Sequence, residues 1–279
     1  MIPFDFEYYK PQTISEAVQT FQELRNQGKQ VMYYCGGTEF ITFSRINKME
    51  AEAVIDIKGL PDCHVFEQLG DQLVIGSAVS LNKISESNLF PLLGNTVKQV
   101  ADHTSRNKIT IGGNINSRLI YREGILPLLL TDAKVKIAGI DGETVLPLED
   151  VFNQEVKLGA GQFLVQIFIK KSYMSLPFVC LKKTKISKIG YPVVSIAALV
   201  KEQQIHAAFS GVCEYPFRSS QVEAALNETS LSKAERIDKA VTLLPSQIVD
   251  DIQASREYRE FVLKNALLEI VEGLEDLLA

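Results

Sequence analysis

The hydrophobic pattern of the first 57 residues alternates between strand and helix, and this alternation limits the possible folds most. Residues 13–16 have the spacing of a capping box, and apolar residues then recur at the helical period until Gly28. Buried strands are predicted over 31–35 and 53–57, with a glycine pair at 36–37 and a short helix between them. This order predicts a small α/β unit.

From residue 64 onward the pattern changes to short antiparallel strands. Turn residues separate apolar segments at 65–69 and 73–76, and again at 141–142. After residue 171 three strands precede three predicted helices, at 219–226, 232–243 and 255–278. The chain of 279 residues is long enough for two or three domains, and the fold class expected is α+β. The expected domain boundaries are 1–58, 59–170 and 171–279.

Composition excludes several classes of protein. A hydrophobic content of 46% argues against disorder, and a net charge of −5 disfavours nucleic acid as a partner. The longest apolar segment, 192–200, is about half of the ~20 residues that cross a bilayer, so no membrane span is expected. Four isolated cysteines indicate reduced thiols. Because the acidic N-terminus lacks a signal peptide, we expect a cytoplasmic chain that starts at Met1.

Two glycine pairs are the strongest candidates for a binding site, in the segments Cys35–Glu39 and Thr110–Asn114. Glycine permits positive φ and lets consecutive N–H groups approach an anion, as a diphosphate site requires. Either pair alone is more often an ordinary turn, since neither matches a known nucleotide fingerprint. When both pairs are considered together, a dinucleotide-phosphate site and two ordinary turns explain them about equally well.

A lysine cluster and one tyrosine have two interpretations each. Lys182, Lys183, Lys185 and Lys188 are typical of a solvated face, although strand alternation allows one or two of them to turn inward. Tyr191 fits either as core filling or as a ring that covers a planar ligand. The three histidines lack ligand spacing, so neither a metal site nor a catalytic triad is predicted on this chain.

Several short motifs recur in a shared order along the chain, and that order resembles one family, the FAD-binding (medium) subunit of molybdenum hydroxylases, which includes xanthine dehydrogenase. The motifs are Phe4-Asp5-Phe6, Tyr8–Pro11, Thr13–Ala17, Gly36–Glu39, Arg106-Asn107, Thr110–Ile115, Gly211–Arg218 and Ser255–Arg259.

The resemblance implies a two-part FAD-binding domain of the vanillyl-alcohol-oxidase/PCMH type, followed by a C-terminal α+β domain with an antiparallel sheet and helices. Segments 1–58 and 59–170 would be the two FAD-binding subdomains, and 171–279 the C-terminal flavoprotein domain.

The same resemblance implies a set of FAD-binding residues and no catalytic residue. Glu123 occupies a position where the family usually has aspartate, and Arg118–Ile120 replaces the usual Ala-Asp-Pro. The implied contacts are Tyr33, Tyr34, Cys35, Gly36, Gly37, Thr38, Glu39, Phe40, Val100, Thr110, Gly113, Asn114, Glu123, Leu164, Lys182 and Tyr191.

The function implied is that of an oxidoreductase flavoprotein subunit. It would pass electrons from iron–sulfur clusters on a small subunit, supplied by a molybdenum-cofactor large subunit, through FAD to an acceptor such as NAD⁺. The Gly-Thr-Glu sequence favours the xanthine dehydrogenase side and hence purine metabolism. Two alternatives are a stand-alone FAD-dependent reductase or oxidase, and a nucleotide-binding protein without a redox role.

Overall fold

A computed structural model describes residues 2–187 and 189–277. The predicted start at Met1, Lys188 of the lysine cluster, and residue 278 of the last predicted helix lie outside the described residues. The chain divides into two compact units, each discontinuous in sequence. Unit 1 comprises 1–83, 103–116 and 133–170, and unit 2 comprises 84–102, 117–132 and 171–279.

The described helices and strands follow the order expected from the sequence. The strands are β1 (Glu7–Tyr9), β2 (Val31–Tyr34), β3 (Ala53–Asp56), β4 (Phe66–Leu69), β5 (Gln72–Gly76), β6 (Lys134–Gly139), β7 (Gly142–Pro147), β8 (Phe152–Asn153), β9 (Glu155–Val156), β10 (Phe163–Lys170), β11 (Phe178–Thr184), β12 (Pro192–Lys201), β13 (Gln204–Ser210) and β14 (Phe217–Arg218). The helices are α1 (Ile14–Asn26), α2 (Thr38–Ser44), α3 (Leu81–Ser87), α4 (Pro91–Lys98), α5 (His103–Arg106), α6 (Ile111–Ile115), α7 (Ile125–Leu129), α8 (Leu148–Val151), α9 (Ser220–Leu226), α10 (Lys233–Thr242) and α11 (Arg256–Asp276).

The first sheet of unit 1 is parallel and has β3 at its centre, in the order β1-β3-β2. Helix α1 begins as the capping box predicts, because Thr13 accepts a hydrogen bond from the Glu16 N–H at 3.1 Å. Its buried face, which includes Phe21 and Leu24, packs on β2 and β3. The predicted α/β order of the opening segment is confirmed.

The second sheet of unit 1 is antiparallel, in the order β4-β5-β10-β6-β7. Its hairpin turns place Gly70 and Gly142 at φ of 62° and 100°, which glycine adopts without strain. The central strand β10 contains a register shift between Leu164 and Gln166. Both predicted hairpins are therefore present.

Unit 2 is built on the antiparallel sheet β11-β12-β13-β14, with α11 packed on β11 and β12. The N-terminal end of β12 is held by Arg259, whose fully buried guanidinium donates to the carbonyls of Val193 and Gly211, both at 2.6 Å. This explains the role of the Ser255–Arg259 motif, since its arginine joins three segments of one unit.

Unit 2 also takes in two segments from the middle of the chain. Helix α4 contacts β11, and α7 contacts β12, β13 and β14. Residues 84–102 and 117–132 therefore belong to the same compact unit as the C-terminal segment. The domain boundaries expected from the sequence stay a prediction.

Within residues 2–187 and 189–277, no helix combines the length and the hydrophobicity needed to cross a lipid bilayer.

Candidate functional site

The first glycine segment of unit 1 joins the carboxyl end of β2 to the start of α2. Gly37 precedes the helix with φ of 72°, a left-handed conformation that side chains other than glycine rarely adopt. A Cβ added there would lie 2.1 Å from the Tyr34 hydroxyl oxygen. Because glycine has no side chain, Gly37 supplies no side-chain cap to α2, and the N-terminal end of the helix carries a partial positive charge.

The second glycine segment forms the start of α6. The Thr110 side chain accepts a hydrogen bond from the Gly113 N–H at 3.2 Å, and the Gly112 N–H donates to the Ser77 carbonyl at 2.9 Å. A Cβ on Gly112 would lie 2.7 Å from the Ser77 Cβ, so this glycine serves packing. A Cβ on exposed Gly113 would approach one described group, the Thr110 hydroxyl at 3.1 Å.

The two segments meet, although more than 70 residues separate them along the chain. A Cβ on Gly36 would lie 2.0 Å from the Lys108 carbonyl oxygen, so only glycine permits this approach. The Cys35 thiol is hydrogen-bonded to Thr110. Burial raises the pKa of that thiol, and the Thr110 hydrogen bond offsets part of the rise.

Three of the expected residues are apolar or aromatic side chains that are buried or half-buried. The Tyr33 ring stacks on Phe21 at 5.1 Å, and its hydroxyl donates to the Gly161 carbonyl at 2.9 Å. Burial raises the pKa of Tyr33. Phe40 and Leu164 are both buried, in the apolar face of α2 and at the register shift of β10. Their side chains support the backbone of the site.

The remaining loop residues lie in the first turns of the two helices. Thr38 starts α2, and its carbonyl accepts a hydrogen bond from Thr42 at 2.7 Å. Glu39 follows it in the same turn. Asn114 is buried in α6, where its N–H donates to the Thr110 carbonyl at 2.8 Å.

A charged network that the sequence reasoning missed lies beside the first glycine segment. The Lys58 ammonium is 2.7 Å from the Asp56 carboxylate and 3.1 Å from the Cys35 carbonyl oxygen, and it lies 4.4 Å from the Tyr34 ring centroid. The Tyr8 hydroxyl also donates to Asp56.

Asp56 remains charged in this network although it is buried. Burial alone would raise its pKa, but hydrogen bonds from Lys58 and Tyr8 outweigh burial and hold the pKa below its ordinary value. The sequence does contain a signal for this network. Asp56 ends a buried strand of a parallel sheet, and ligands bind at the carboxyl ends of such strands.

In unit 2 the expected lysine forms a buried ion pair. Lys182 lies 3.3 Å from Glu123, with both side chains at most 5% exposed, and it donates to the Gln99 carbonyl at 2.8 Å. Lys183 instead pairs with exposed Glu269, which agrees with the alternation predicted for this strand. Lys182 is thus the lysine of this pair whose side chain is buried, while its contact with FAD stays a prediction.

Tyr191 stacks on another tyrosine of unit 2. Its ring is 4.8 Å from that of Tyr121 at an interplanar angle of 21°. The Tyr121 hydroxyl donates to Asp251 at 2.8 Å, and burial, followed by this hydrogen bond, raises the pKa of Tyr121. Val100 is buried in the turn after α4. The sequence reasoning gave Tyr121 no role, since its partner Asp251 is 130 residues away.

The unit 1 site offers the N-terminal end of a helix and an open glycine position. The helix end is that of α2, after Gly37. In the second segment the Gly112 and Gly113 N–H groups already have protein acceptors, and the open position at Gly113 would be filled by any side chain. Among the residues that the structure describes, no group of three histidine, cysteine, aspartate or glutamate side chains could hold a metal ion. These features fit the diphosphate of a dinucleotide.

Comparison with known families agrees with this geometry. Residues 4–171 match the family described as "FAD binding domain in molybdopterin dehydrogenase". The chain belongs to this family and is an FAD-dependent oxidoreductase flavoprotein. The sequence-based expectations of the family and of FAD as cofactor are confirmed.

Two relatives and one solved structure show how much of the chain the resemblance covers. The carbon monoxide dehydrogenase medium chain of Hydrogenophaga pseudoflava is 28% identical over 156 residues, which cover 54% of this chain and 53% of that one. The nicotinate dehydrogenase FAD-subunit of Eubacterium barkeri is 23% identical over 292 aligned positions, covering 97% of this chain and 98% of that one.

The solved structure is that of a carbon monoxide dehydrogenase from Hydrogenophaga pseudoflava that lacks the Mo-pyranopterin moiety of the molybdenum cofactor. It superposes with a TM-score of 0.88 at 21% identity, covering 99% of both chains. The expected α+β fold, with its two-part FAD-binding domain and C-terminal α+β domain, is thereby confirmed.

Proposed function

We propose that this chain is the FAD-binding electron-transfer subunit of a molybdenum hydroxylase. In this proposal an iron–sulfur small subunit and a molybdenum-cofactor large subunit are its partners, and NAD⁺ is an acceptor for the electrons. The names of two relatives, a medium chain and an FAD-subunit, support a role within a larger complex.

The observation that carries this proposal is the meeting of the two glycine segments in unit 1. The Lys108 carbonyl occupies the space that a Gly36 side chain would need, and Cys35 bonds to Thr110. The N-terminal end of α2 and the open position at Gly113 thus belong to two segments that come together at one place. A diphosphate is anionic and needs both a positive helix end and free space, so this arrangement supports its assignment here.

When bound, FAD supplies the exchange of one and two electrons between its donors and its acceptor. The chain supplies binding and electrostatics. The start of α2 after Gly37 would bind the diphosphate, and the open position at Gly113 would leave room for it. The left-handed backbone at Gly37 sets the direction of the first turn of α2, and the Thr110 cap holds the backbone at Gly113.

The individual contacts are proposals of the same kind. In unit 1 they are the backbone from Tyr33 to Phe40, together with Thr110, Gly113, Asn114 and Leu164. In unit 2 they are Val100, Glu123, Lys182 and Tyr191. Lys182 and Glu123 are buried and paired with each other, so we assign these residues to orienting hydrogen bonds.

The substrate of the complex is chosen on the molybdenum-containing chain in this proposal. The Gly-Thr-Glu sequence favours a purine such as xanthine, whereas the relatives are named for carbon monoxide and nicotinate. Four free thiols, two of them buried, fit a reducing compartment and a cytoplasmic location.

Purification of the chain by itself tests the cofactor site. We expect bound FAD with a flavin absorption spectrum, and we expect Gly113→Val to lose the flavin because its side chain fills the open position. A colourless wild-type chain that takes up no FAD would contradict the proposal. Co-expression with neighbouring reading frames tests the complex, because an iron–sulfur chain and a molybdenum chain should then co-purify.

A further inference from the structure

The ammonium group of Lys58 has three partners for its three N–H groups. Two are oxygen atoms, on the Asp56 carboxylate and the Cys35 carbonyl, and the third is the face of the Tyr34 ring. The Lys58 N–H also donates to the Asp56 carboxylate at 2.9 Å, which ties the backbone of this turn to the same group. Lys58 is thus occupied by protein groups next to the first glycine segment.

The carbonyl that Lys58 holds belongs to the peptide bond between Cys35 and Gly36. In a trans peptide the C=O and N–H groups point in opposite directions, and the described chain contains no cis peptide bond. Because Lys58 holds the Cys35 carbonyl at 3.1 Å, the Gly36 N–H points away from Lys58. Holding the carbonyl on Lys58 therefore keeps this N–H on the side of the peptide opposite Lys58.

This peptide needs such a restraint because glycine follows it. A flip of the peptide changes ψ of Cys35 and φ of Gly36, and glycine offers little steric resistance to a change of φ. A flip would exchange the two groups and would bring the carbonyl dipole to the side opposite Lys58. An anion bound there would then meet a partial negative charge in place of a donor.

We propose that Lys58 is a positioning residue that locks the Cys35–Gly36 peptide in the orientation that accepts a nucleoside diphosphate group. Asp56 anchors the ammonium, and Lys58 itself makes no contact with the ligand. The proposal deepens the function given above and rests on the assignment of the diphosphate to the two glycine segments.

Titration of the full-length apo-protein with FAD and with ADP tests this role. We expect Lys58→Met to raise the dissociation constants for FAD and for ADP about tenfold each. This is the size of effect expected when one charge-assisted hydrogen bond is lost. Lys58→Arg keeps a cation that reaches both oxygens and should restore binding to within about threefold of wild type. Lys134→Met removes an exposed lysine of the same unit and is the matched control.

Two further readouts separate positioning from other effects. The Lys58 side chain is 43% exposed, so the melting temperature of the apo-protein should be the same in wild type and Lys58→Met. For each ligand, the dissociation constant of Lys58→Met should exceed that of wild type by the same factor at high salt. Salt screens the long-range attraction between the lysine charge and the ligand, but it does not reverse a change of backbone orientation.

The positioning role of Lys58, here called the lock, and the underlying function are contradicted by different outcomes. Wild-type protein that binds neither FAD nor ADP contradicts the proposed function. Wild-type protein that binds both, with equal affinity in Lys58→Met, contradicts the lock alone. The lock is also overturned if Lys58→Arg binds as weakly as Lys58→Met, if the Lys134 control is equally weak, or if high salt removes the difference.

Discussion

The atoms nearest to each glycine of the site determine why glycine is needed at that position. A Cβ at Gly36 or Gly112 would collide with the Lys108 carbonyl or with Ser77, so those two glycines allow segments of the protein to approach one another. Gly37 is required by its left-handed φ. Gly113 has neither constraint, and we propose that the space beside it takes the ligand. Four glycines that look alike in sequence thus divide into two packing positions, one backbone position and one proposed ligand position.

Gly112 and Gly113 form a matched pair that tests this division. Gly112→Ala should lower the free energy of unfolding by about 2 kcal/mol, as overpacking does, since its Cβ would overlap Ser77. Gly113→Ala should leave the melting temperature near that of wild type and weaken FAD binding. Thermal melts of the apo-proteins and FAD titrations measure both effects. The same loss of stability in both variants would contradict the division.

Individual elements are held by buried polar groups that join distant strands and helices. In unit 2 the Glu223 carboxylate of α9 accepts hydrogen bonds from the Arg218 Nε at 2.7 Å and the Ala207 N–H at 3.1 Å. His206 Nδ1 of β13 lies 3.0 Å from the same carboxylate. Burial alone would raise the pKa of Glu223, but hydrogen bonds with His206 and Arg218 hold it below its ordinary value.

The lowered pKa gives this cluster a defined dependence on pH. A carboxylate with a lowered pKa stabilises the fold above its ordinary pKa, and the contribution is lost as the pH falls through the lowered value. Glu223→Gln should therefore reduce the free energy of unfolding by about 2 kcal/mol at pH 7, and the difference from wild type should shrink below about pH 4. Urea unfolding at several pH values measures it. A difference that grows in acid would contradict this account.

At the scale of the whole molecule, the two compact units are both discontinuous in sequence. Unit 2 contains α4 and α7, whose buried residues contact the sheet formed by β11 to β14. Lys182 of that sheet has its two partners, Glu123 and Gln99, in these earlier segments. A cut at residue 170 would therefore remove part of the core of unit 2.

Expression of residues 171–279 alone tests this division. We expect the fragment to lack a cooperative melt and to give a poorly dispersed amide spectrum, because the removal of α4 and α7 exposes apolar surface and leaves Lys182 without its partners. The full-length chain is the control. A fragment that melts cooperatively with sharp, dispersed signals would instead support 171–279 as an independent domain.

Sequence patterns predicted local structure well and long-range structure partially. The cap at Thr13, the hairpin glycines and the strand alternation around Lys182 depend on neighbouring residues, so they were readable in advance. The approach of Gly36 to Lys108, and the tyrosine stack of Tyr121, depend on residues far apart in sequence. Periodicity and turn chemistry contain no information about such contacts.

Nuclear magnetic resonance of the apo-protein, labelled with ¹⁵N at its 17 glycines, tests the meeting of the two segments on one diphosphate most directly. On titration with ADP we expect saturable shifts of the Gly36, Gly37 and Gly113 amide signals, while those of Gly70 and Gly142 in the hairpin turns stay in place. Shifts confined to one of the two segments, or absent from both while FAD still binds, would contradict the account.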